Sequence, residues 1–185
     1  MASMKKHPLI QVDFDCTVKL RPKELKRLLT WLEVASQVFG DFLREKGLIH
    51  SSWLLKNQSF RVSILLCGQT RIRRLNKEFR HKDKATDVLS FPSIETLRQK
   101  NSQLPLASGE IFLGDLAICH QKTLSQARQF QIGYLDEFIH LYAHGWLHLL
   151  GYDHEISEKE EKLMQDWEQQ LLERFSKLRK KKGAL

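Results

Sequence analysis

The 185-residue chain lacks the features that mark membrane-spanning, disulfide-stabilised and low-complexity proteins. No apolar run approaches the roughly 18 residues of a membrane span, and the N-terminal stretch MASMKKHPLIQVDFD has no apolar core of the kind a secretory signal carries. The three cysteines, Cys16, Cys67 and Cys119, are odd in number and far apart, which favours buried free thiols in a reducing compartment over a disulfide framework. Because the thiols are expected to be free, we expect the protein in the cytoplasm. Linkers and internal repeats are also missing, so we expect one domain spanning residues 1–185.

The composition is that of a folded, basic protein. Apolar residues make up 42% of the chain and charged residues 28%, a balance that excludes wholesale disorder. Thirty Lys and Arg residues against 22 Asp and Glu residues give a net charge of +8, which favours a polyanionic partner. Six basic residues lie in the segment 174–183. This segment either contacts RNA by releasing counterions or is a helix end stabilised by the helix dipole, and both interpretations stay open.

Hydrophobic periodicity predicts an α+β fold with a mixed sheet of about four strands and about five helices. The predicted strands lie at 10–16, 61–67, 85–92 and 111–119, and the predicted helices at 22–47, 70–80, 120–131, 135–150 and from 157 onward. Thr70 and Ser157 are expected helix N-caps, Phe79 is expected to face the core, and Gly114 indicates a bulge. Residues 93–108 are predicted to form a long loop. A doubly wound fold is disfavoured because no helix separates the last two strands.

The most informative stretch is HGWLHLLGYDH at residues 144–154. His144 and His148 are four residues apart in a strongly helical segment, so both side chains can reach one ion from the same helix face. Gly151 can take the left-handed conformation that ends a helix, and the turn after it can return His154 as a third ligand. Three imidazoles leave one tetrahedral position open to water, as in catalytic zinc sites, although nickel, copper or iron can also bind imidazoles.

Coincidence is a poor explanation for these three histidines. A single histidine in this segment would most simply be a core or surface residue. In a chain of 185 residues with eight histidines, however, chance gives roughly 0.014 occurrences of the three-histidine spacing. The pattern therefore predicts a metal site.

The spacing is that of the metzincin protease pattern HExxHxxGxxH, with one departure. Gly145 stands where those proteases carry the glutamate that acts as general base. Because glycine cannot accept a proton, the sequence predicts a metal site but disfavours peptide hydrolysis.

Two further motifs complete a larger pattern: LNKEFRHKDKATDVLSFP at residues 75–92 and LGD at residues 113–115. With the histidine block they match LNxxFRxKDxATDVLSFP, LGD and HGxLHLLGYDH at essentially every motif position. From about residue 75 to 154, the chain therefore resembles the YbeY family of bacterial rRNA-maturation endoribonucleases. The flanking segments match that family only in general layout.

The resemblance implies an α+β fold, one zinc ion per chain as cofactor and single-stranded RNA as substrate. It implies that His144, His148 and His154 bind the zinc and that Arg80 is important for catalysis. It also implies a role in small-subunit rRNA maturation and ribosome quality control, with the small ribosomal subunit or a ribosome-associated GTPase as partner.

The chemistry is consistent without the resemblance. Zinc held by three imidazoles lowers the pKa of its water toward about 7, which supplies hydroxide without a glutamate. The guanidinium of Arg80 can stabilise charge on a phosphoryl group, although alone it could equally be a solvated arginine at a helix end.

Other residues are weaker candidates, because each has an equally good or better structural explanation. Lys82 and Ser90 are the candidates for substrate binding. Thr86 is a further candidate for substrate binding, Lys84 could line a phosphate groove, and Asp83 and Asp87 could act as bases or simply cap turns. His140, Asp115, Asp153 or backbone carbonyls are the candidate partners of the metal ligands. Trp146 and Trp167 are expected in the core rather than as base-stacking platforms.

Three functions compete at this point. The favoured one is a zinc-dependent endoribonuclease that acts on single-stranded rRNA. The alternatives are a non-enzymatic ribosome-assembly factor with a structural metal and a metzincin-like metalloprotease, against which the missing glutamate argues.

Overall fold

A computed structural model describes residues 10–50, 59–94, 97–98, 109–181 and 183. The described strands are β1 (Ile10–Cys16), β2 (Ser59–Cys67), β3 (Val88–Pro92) and β4 (Glu110–Cys119). The described helices are α1 (Pro22–Lys46), α2 (Gln69–Arg80), α3 (His120–Gln129), α4 (Tyr134–Leu149) and α5 (Glu158–Lys181). The predicted elements are thus present in the predicted order, although β3 begins later than expected. The predicted loop at 93–108 falls mostly outside the described residues.

The four strands form one mixed sheet in the order β1-β2-β4-β3. β1, β2 and β4 are parallel, whereas β3 is antiparallel to β4 and occupies one edge. The predicted α+β class is confirmed, and no crossover helix is needed between β3 and β4 because they are antiparallel. The register of β4 against β2 skips Leu113, next to Gly114, so the expected bulge is present.

The main core lies between one face of the sheet and the helices α1, α4 and α5. Phe39 of α1 stacks on Tyr142 of α4 with ring centroids 4.9 Å apart, and Trp146 packs against the same phenylalanine. Trp146 is fully buried and Trp167 is partly buried in this core, as predicted. α4 is therefore held in place by the sheet on one side and two helices on the other.

A smaller apolar cluster fills the opposite face of the sheet beneath α2. Ile72 is buried there, but Phe79 is 56% exposed, so the expectation that Phe79 faces the core was wrong. Because β3 is the edge strand, the last turn of α2 reaches the border of the sheet, where Phe79 contacts Phe91.

The helix ends follow the sequence with one exception. Gly47 ends α1 in the left-handed conformation at φ 62°, and the Ser157 hydroxyl accepts the backbone N–H of Glu160 at 3.2 Å. Thr70, however, is not the N-cap of α2, because that helix begins directly after β2 and Gly68 takes the cap position. The short connection leaves no room for a cap at residue 70.

The cysteines are free, as expected, with Cys67 and Cys119 buried and Cys16 half-buried. Burial raises the pKa of the Cys67 thiol to about 11, which keeps it protonated and unreactive at neutral pH. Within the described ranges, no helix is both long and apolar enough to cross a membrane.

Gly114 should tolerate no side chain. Its φ is +136°, and an added Cβ would overlap the carbonyl oxygen of Phe91. We expect Gly114→Ala to lower the free energy of unfolding by at least about 3 kcal/mol, because backbone strain and overlap add. Urea denaturation measures the change.

Gly47→Ala is the matched control for this substitution. Gly47 also has a positive φ, at +62°, but an added Cβ would meet nothing within 4 Å. Gly47→Ala should lower the free energy of unfolding by only about 1–2 kcal/mol, which is the cost of the left-handed conformation for a residue with a side chain. Equal losses for the two variants would show that the close approach at Gly114 is unimportant.

Candidate metal centre

α4 places His144 and His148 side by side. They lie one helical turn apart, and their Nε2 atoms are 3.2 Å apart. The helix ends at Gly151, whose φ is +89° and whose N–H donates to the carbonyl of His148 at 3.0 Å. The N–H of Tyr152 donates to the carbonyl of Leu147 at 3.1 Å. These two bonds form a Schellman motif, which satisfies the last carbonyls and reverses the chain toward the imidazoles.

The turn after α4 returns His154 to the pair. Its ring centroid lies 5.3 Å from that of His144 and 5.2 Å from that of His148. The Arg98 guanidinium lies 4.1 Å from the centroid of the Tyr152 ring and braces this turn. The structure thus brings together the three predicted ligands, and one ligand atom of each lies within 4.8 Å of the others.

The donor set fits a metal ion. Around tetrahedral zinc with nitrogen ligands at about 2.0–2.1 Å, neighbouring ligand atoms lie about 3.3 Å apart. The 3.2 Å between the Nε2 atoms of His144 and His148 matches this spacing. Among the residues that the structure describes, no other cluster of His, Cys, Asp or Glu side chains is compact enough to share an ion. Imidazole ligands suit zinc, copper, iron and nickel.

The surroundings of His148 favour its neutral form. Burial, together with repulsion from the neighbouring rings of His144 and His154, lowers the pKa of His148 to about 4. Because a metal binds the deprotonated nitrogen, His148 is ready to act as a ligand at neutral pH without first losing a proton.

Glu168 of α5 supports His144 and was missed in the sequence. Its Oε1 lies 3.2 Å from Nδ1 of His144 and 3.4 Å from Nε2 of His140. When Nδ1–H of His144 donates to this carboxylate, Nε2 is left free for a metal. Burial would raise the pKa of Glu168, but the hydrogen bonds from His140 and His144 outweigh it and hold the pKa at about 2. The carboxylate is therefore charged.

The partners considered from the sequence have mixed outcomes. His140 does take part, since it lies between Glu168 and the buried carboxylate of Glu137. Asp153 instead accepts the backbone N–H of Glu155 at 2.9 Å. Asp115 of β4, the other carboxylate considered as a partner of the histidines, is exposed to solvent.

Gly145 brings α4 close to the sheet. An added Cβ would lie 2.8 Å from Cδ2 of Leu116, 3.2 Å from Oγ of Ser90 and 3.3 Å from Cγ2 of Val88. The position that carries the general base in metzincins therefore packs closely against β3 and β4, and a side chain there would require its neighbours to shift.

Arg80 and Ser90 face the histidines across one cleft. Nη2 of Arg80 donates to the carbonyl of Ser90 at 2.9 Å. The carbonyl of Asp87 accepts the N–H of Cys119 and so points toward β4. In an antiparallel pair, every second residue points its N–H and carbonyl away from the partner strand, and in β3 Ser90 is one of these. The backbone groups of Ser90 therefore lie at the free edge of the sheet. Both residues and the three histidines line a cleft of about 1050 Å³.

The remaining predicted residues divide between the cleft and structural roles. Lys82, Lys84 and Thr86 line the cleft. Asp87 also lines it, but its carboxylate is occupied by Gln126 and by the backbone of Val88. Asp83 forms ion pairs with Arg73 and Lys77 of α2.

The fold and the site define a protein in which three imidazoles, two from a helix and one from the turn after it, could hold a metal ion and open onto a cleft. The sequence model of the family described as "Endoribonuclease YbeY" matches residues 31–176. The chain therefore belongs to the endoribonuclease YbeY family, and the resemblance found in its motifs is confirmed.

Relatives named endoribonuclease YbeY agree with this assignment. The protein from Thermodesulfovibrio yellowstonii is 39% identical over 119 residues, which cover 64% of this chain and 69% of the relative. The protein from Sulfurihydrogenibium sp. is 40% identical over 115 residues, covering 62% and 70%. The solution structure of TM1509 from Thermotoga maritima is 25% identical, covers 89% of each chain and has a TM-score of 0.52.

Removing the carboxylate of Glu168 should weaken metal binding. We expect Glu168→Gln to lower the affinity for Zn²⁺ about 10- to 100-fold, because His144 loses the group that fixes its tautomer and orientation. Competition with a chromophoric chelator measures the affinity.

Glu173→Gln is the matched control, because Glu173 is an exposed residue of the same helix that contacts Gln169. Its affinity for Zn²⁺ should equal that of the wild type. An unchanged affinity in Glu168→Gln would show that the contact with His144 is incidental.

Proposed function

We propose that this protein is a zinc-dependent endoribonuclease that hydrolyses phosphodiester bonds of single-stranded RNA during rRNA maturation. In this proposal His144, His148 and His154 hold the ion, and Arg80 stabilises charge on the reacting phosphate. One observation carries the proposal: one ligand atom of each of the three imidazoles lies within 4.8 Å of the others, in a cleft that Arg80 also lines.

The residues of the chain would bind and orient the phosphate. When bound, zinc supplies Lewis acidity and lets water act as a nucleophile at neutral pH. Arg80 uses one N–H on the Ser90 carbonyl and keeps other donors of its planar fork for phosphate oxygens. The backbone N–H of Ser90 points to the same free edge and adds a fixed donor. Lys82 adds positive charge that attracts the RNA backbone.

The geometry argues against a metzincin-like protease. That mechanism needs a carboxylate after the first histidine to accept the proton of water. Here this position is Gly145, which offers no carboxylate and packs closely against Leu116 and Ser90.

The cellular setting belongs to the same proposal. We place the protein in the cytoplasm, acting on the 3′ end of small-subunit rRNA and in ribosome quality control, with the small ribosomal subunit or a ribosome-associated GTPase as partner. The net charge of +8 supports contact with an RNA-rich particle. In the basic end of α5, Arg174 pairs with Glu45 and Arg179 with Asp136, whereas Lys177, Lys180 and Lys181 are exposed to solvent.

Loss of either half of the site should strongly reduce RNA cleavage. We expect purified protein to contain about one zinc per chain and His148→Ala to lose most of it. Arg80→Ala should keep the metal but lose about 10²–10³-fold in kcat on single-stranded RNA, because a donor to the transition state is removed. Arg80→Lys should recover only part of this loss, since lysine lacks the planar fork.

Arg74→Ala is the matched control, because Arg74 is an exposed residue of α2 outside the cleft. Metal analysis and cleavage of labelled RNA, with casein as a parallel substrate, separate the alternatives. RNA cleavage that survives both His148→Ala and Arg80→Ala would favour an assembly factor with a structural metal. Casein cleavage that His148→Ala abolishes would favour a protease.

A further inference from the structure

Two of the large apolar side chains most exposed to solvent lie in the metal cleft. Among the described residues the exposed large apolar side chains are Leu29, Phe79, Phe130, Ile132 and Ile156. Phe79, 56% exposed, and Ile156, 68% exposed, both line the cleft that contains the three histidines. The walls of this cleft combine charged and polar groups with apolar ones, and the two exposed apolar side chains call for a ligand that has an apolar face as well as charge.

The orientation of Phe79 is fixed by its neighbours. Its ring packs edge-to-face against Phe91 of β3, with centroids 5.2 Å apart and an interplanar angle of 70°. The chain after it is held by Asn76, whose Nδ2 donates to the carbonyl of Lys84 at 2.8 Å and whose carbonyl accepts the N–H of Lys82 at 3.2 Å. Phe79 therefore stands in a fixed position relative to both lysines.

The charges near Phe79 suit a nucleic-acid backbone. Arg80 follows it directly, and Lys82 and Lys84 line the same cleft. The carboxylate between the two lysines, that of Asp83, is turned to Arg73 and Lys77 of α2. The charge of Asp83 is thus paired on the helix and does not neutralise the two lysines. The cleft therefore presents an aromatic ring flanked by cations, which is the combination that binds single-stranded nucleic acid.

We propose that Phe79 is the stacking platform for an unpaired base of the RNA bound at the histidine triad. This inference rests on the proposed function and names what that function requires of its substrate. A base that is paired in a duplex is already stacked on both faces, so it cannot also cover Phe79. The platform would therefore make the site selective for single strands and place a phosphate beside Arg80.

The substitution Phe79→Ala tests whether Phe79 is a stacking platform. Loss of one base–aromatic stack should raise KM for a short single-stranded RNA about 10- to 100-fold with little change in kcat. Phe79→Trp should restore the wild-type KM, whereas Phe79→Leu, which is apolar but not aromatic, should not. Phe130→Ala is the matched control, because Phe130 is 54% exposed and lies outside the cleft.

Abasic RNA identifies the stacked base. An abasic ribose is placed at each position of the oligonucleotide in turn. One position should weaken binding to the wild type as much as Phe79→Ala does, and should have no further effect in that variant. A 2-aminopurine base at the same position should be quenched on binding to the wild type and not to Phe79→Ala.

Failure of this inference can be distinguished from failure of the proposed function. The quenching measurement uses EDTA-treated protein and needs no turnover, and metal content is measured for every variant. A KM for Phe79→Ala equal to that of Phe130→Ala, with no position-specific abasic effect, would overturn the platform even if the enzyme cleaves RNA. So would a loss confined to binding of the small ribosomal subunit, which would make Phe79 a protein-docking residue. Wild-type protein that cleaves no RNA would overturn the proposed function instead.

Discussion

The close approach of α4 to the edge of the sheet is the constraint on which the candidate metal centre depends. It exists because residue 145 has no side chain, since a Cβ there would lie 2.8 Å from Leu116. The approach sets the helix that carries His144 and His148 directly against the strand that carries Ser90. Through the Ser90 carbonyl it also fixes the distance to Arg80. A side chain in place of the glycine would require Leu116, Ser90 or Val88 to shift, so the missing side chain favours proximity between the histidines and the strand of Ser90.

The features of the site that could be predicted from the sequence are those that depend only on the geometry of one helix and one turn. The spacing of His144 and His148 and the glycine at 151 act within one helix and one turn, so the triad could be inferred before any tertiary structure was known. Glu168 could not, because it reaches His144 only through the packing of α5 on α4, and α5 has several other acidic residues. Periodicity with Met164 and Leu171 would have placed it on the inner face of the helix, but not opposite a particular imidazole.

Two predictions from the sequence, for Phe79 and Thr70, were wrong because they depend on where the sheet ends and on how long its connections are. Phe79 has the spacing of a core residue, yet the sheet ends at β3 and the ring finds Phe91 at its border. Thr70 has the chemistry of a cap, yet the helix starts immediately after β2. Periodicity identifies which face of a helix is apolar, whereas the extent of the surface beneath that face is a property of the whole fold. Departures of this kind are informative, because a side chain that breaks the pattern beside a reactive centre is a candidate for function.

The position of Glu168 in α5, which follows the helix of His144 and His148 in the chain, has a consequence for biosynthesis. His144 and His148 are synthesised before α5, but the carboxylate that orients His144 becomes available only once most of the last helix has left the ribosome and folded. Until α5 has folded, a nascent chain therefore carries an unsupported pair of imidazoles, and the candidate metal centre is complete only when α5 docks on α4. By mass action, capture of the ion then favours the docked helix, so metal loading and closure of the domain stabilise each other.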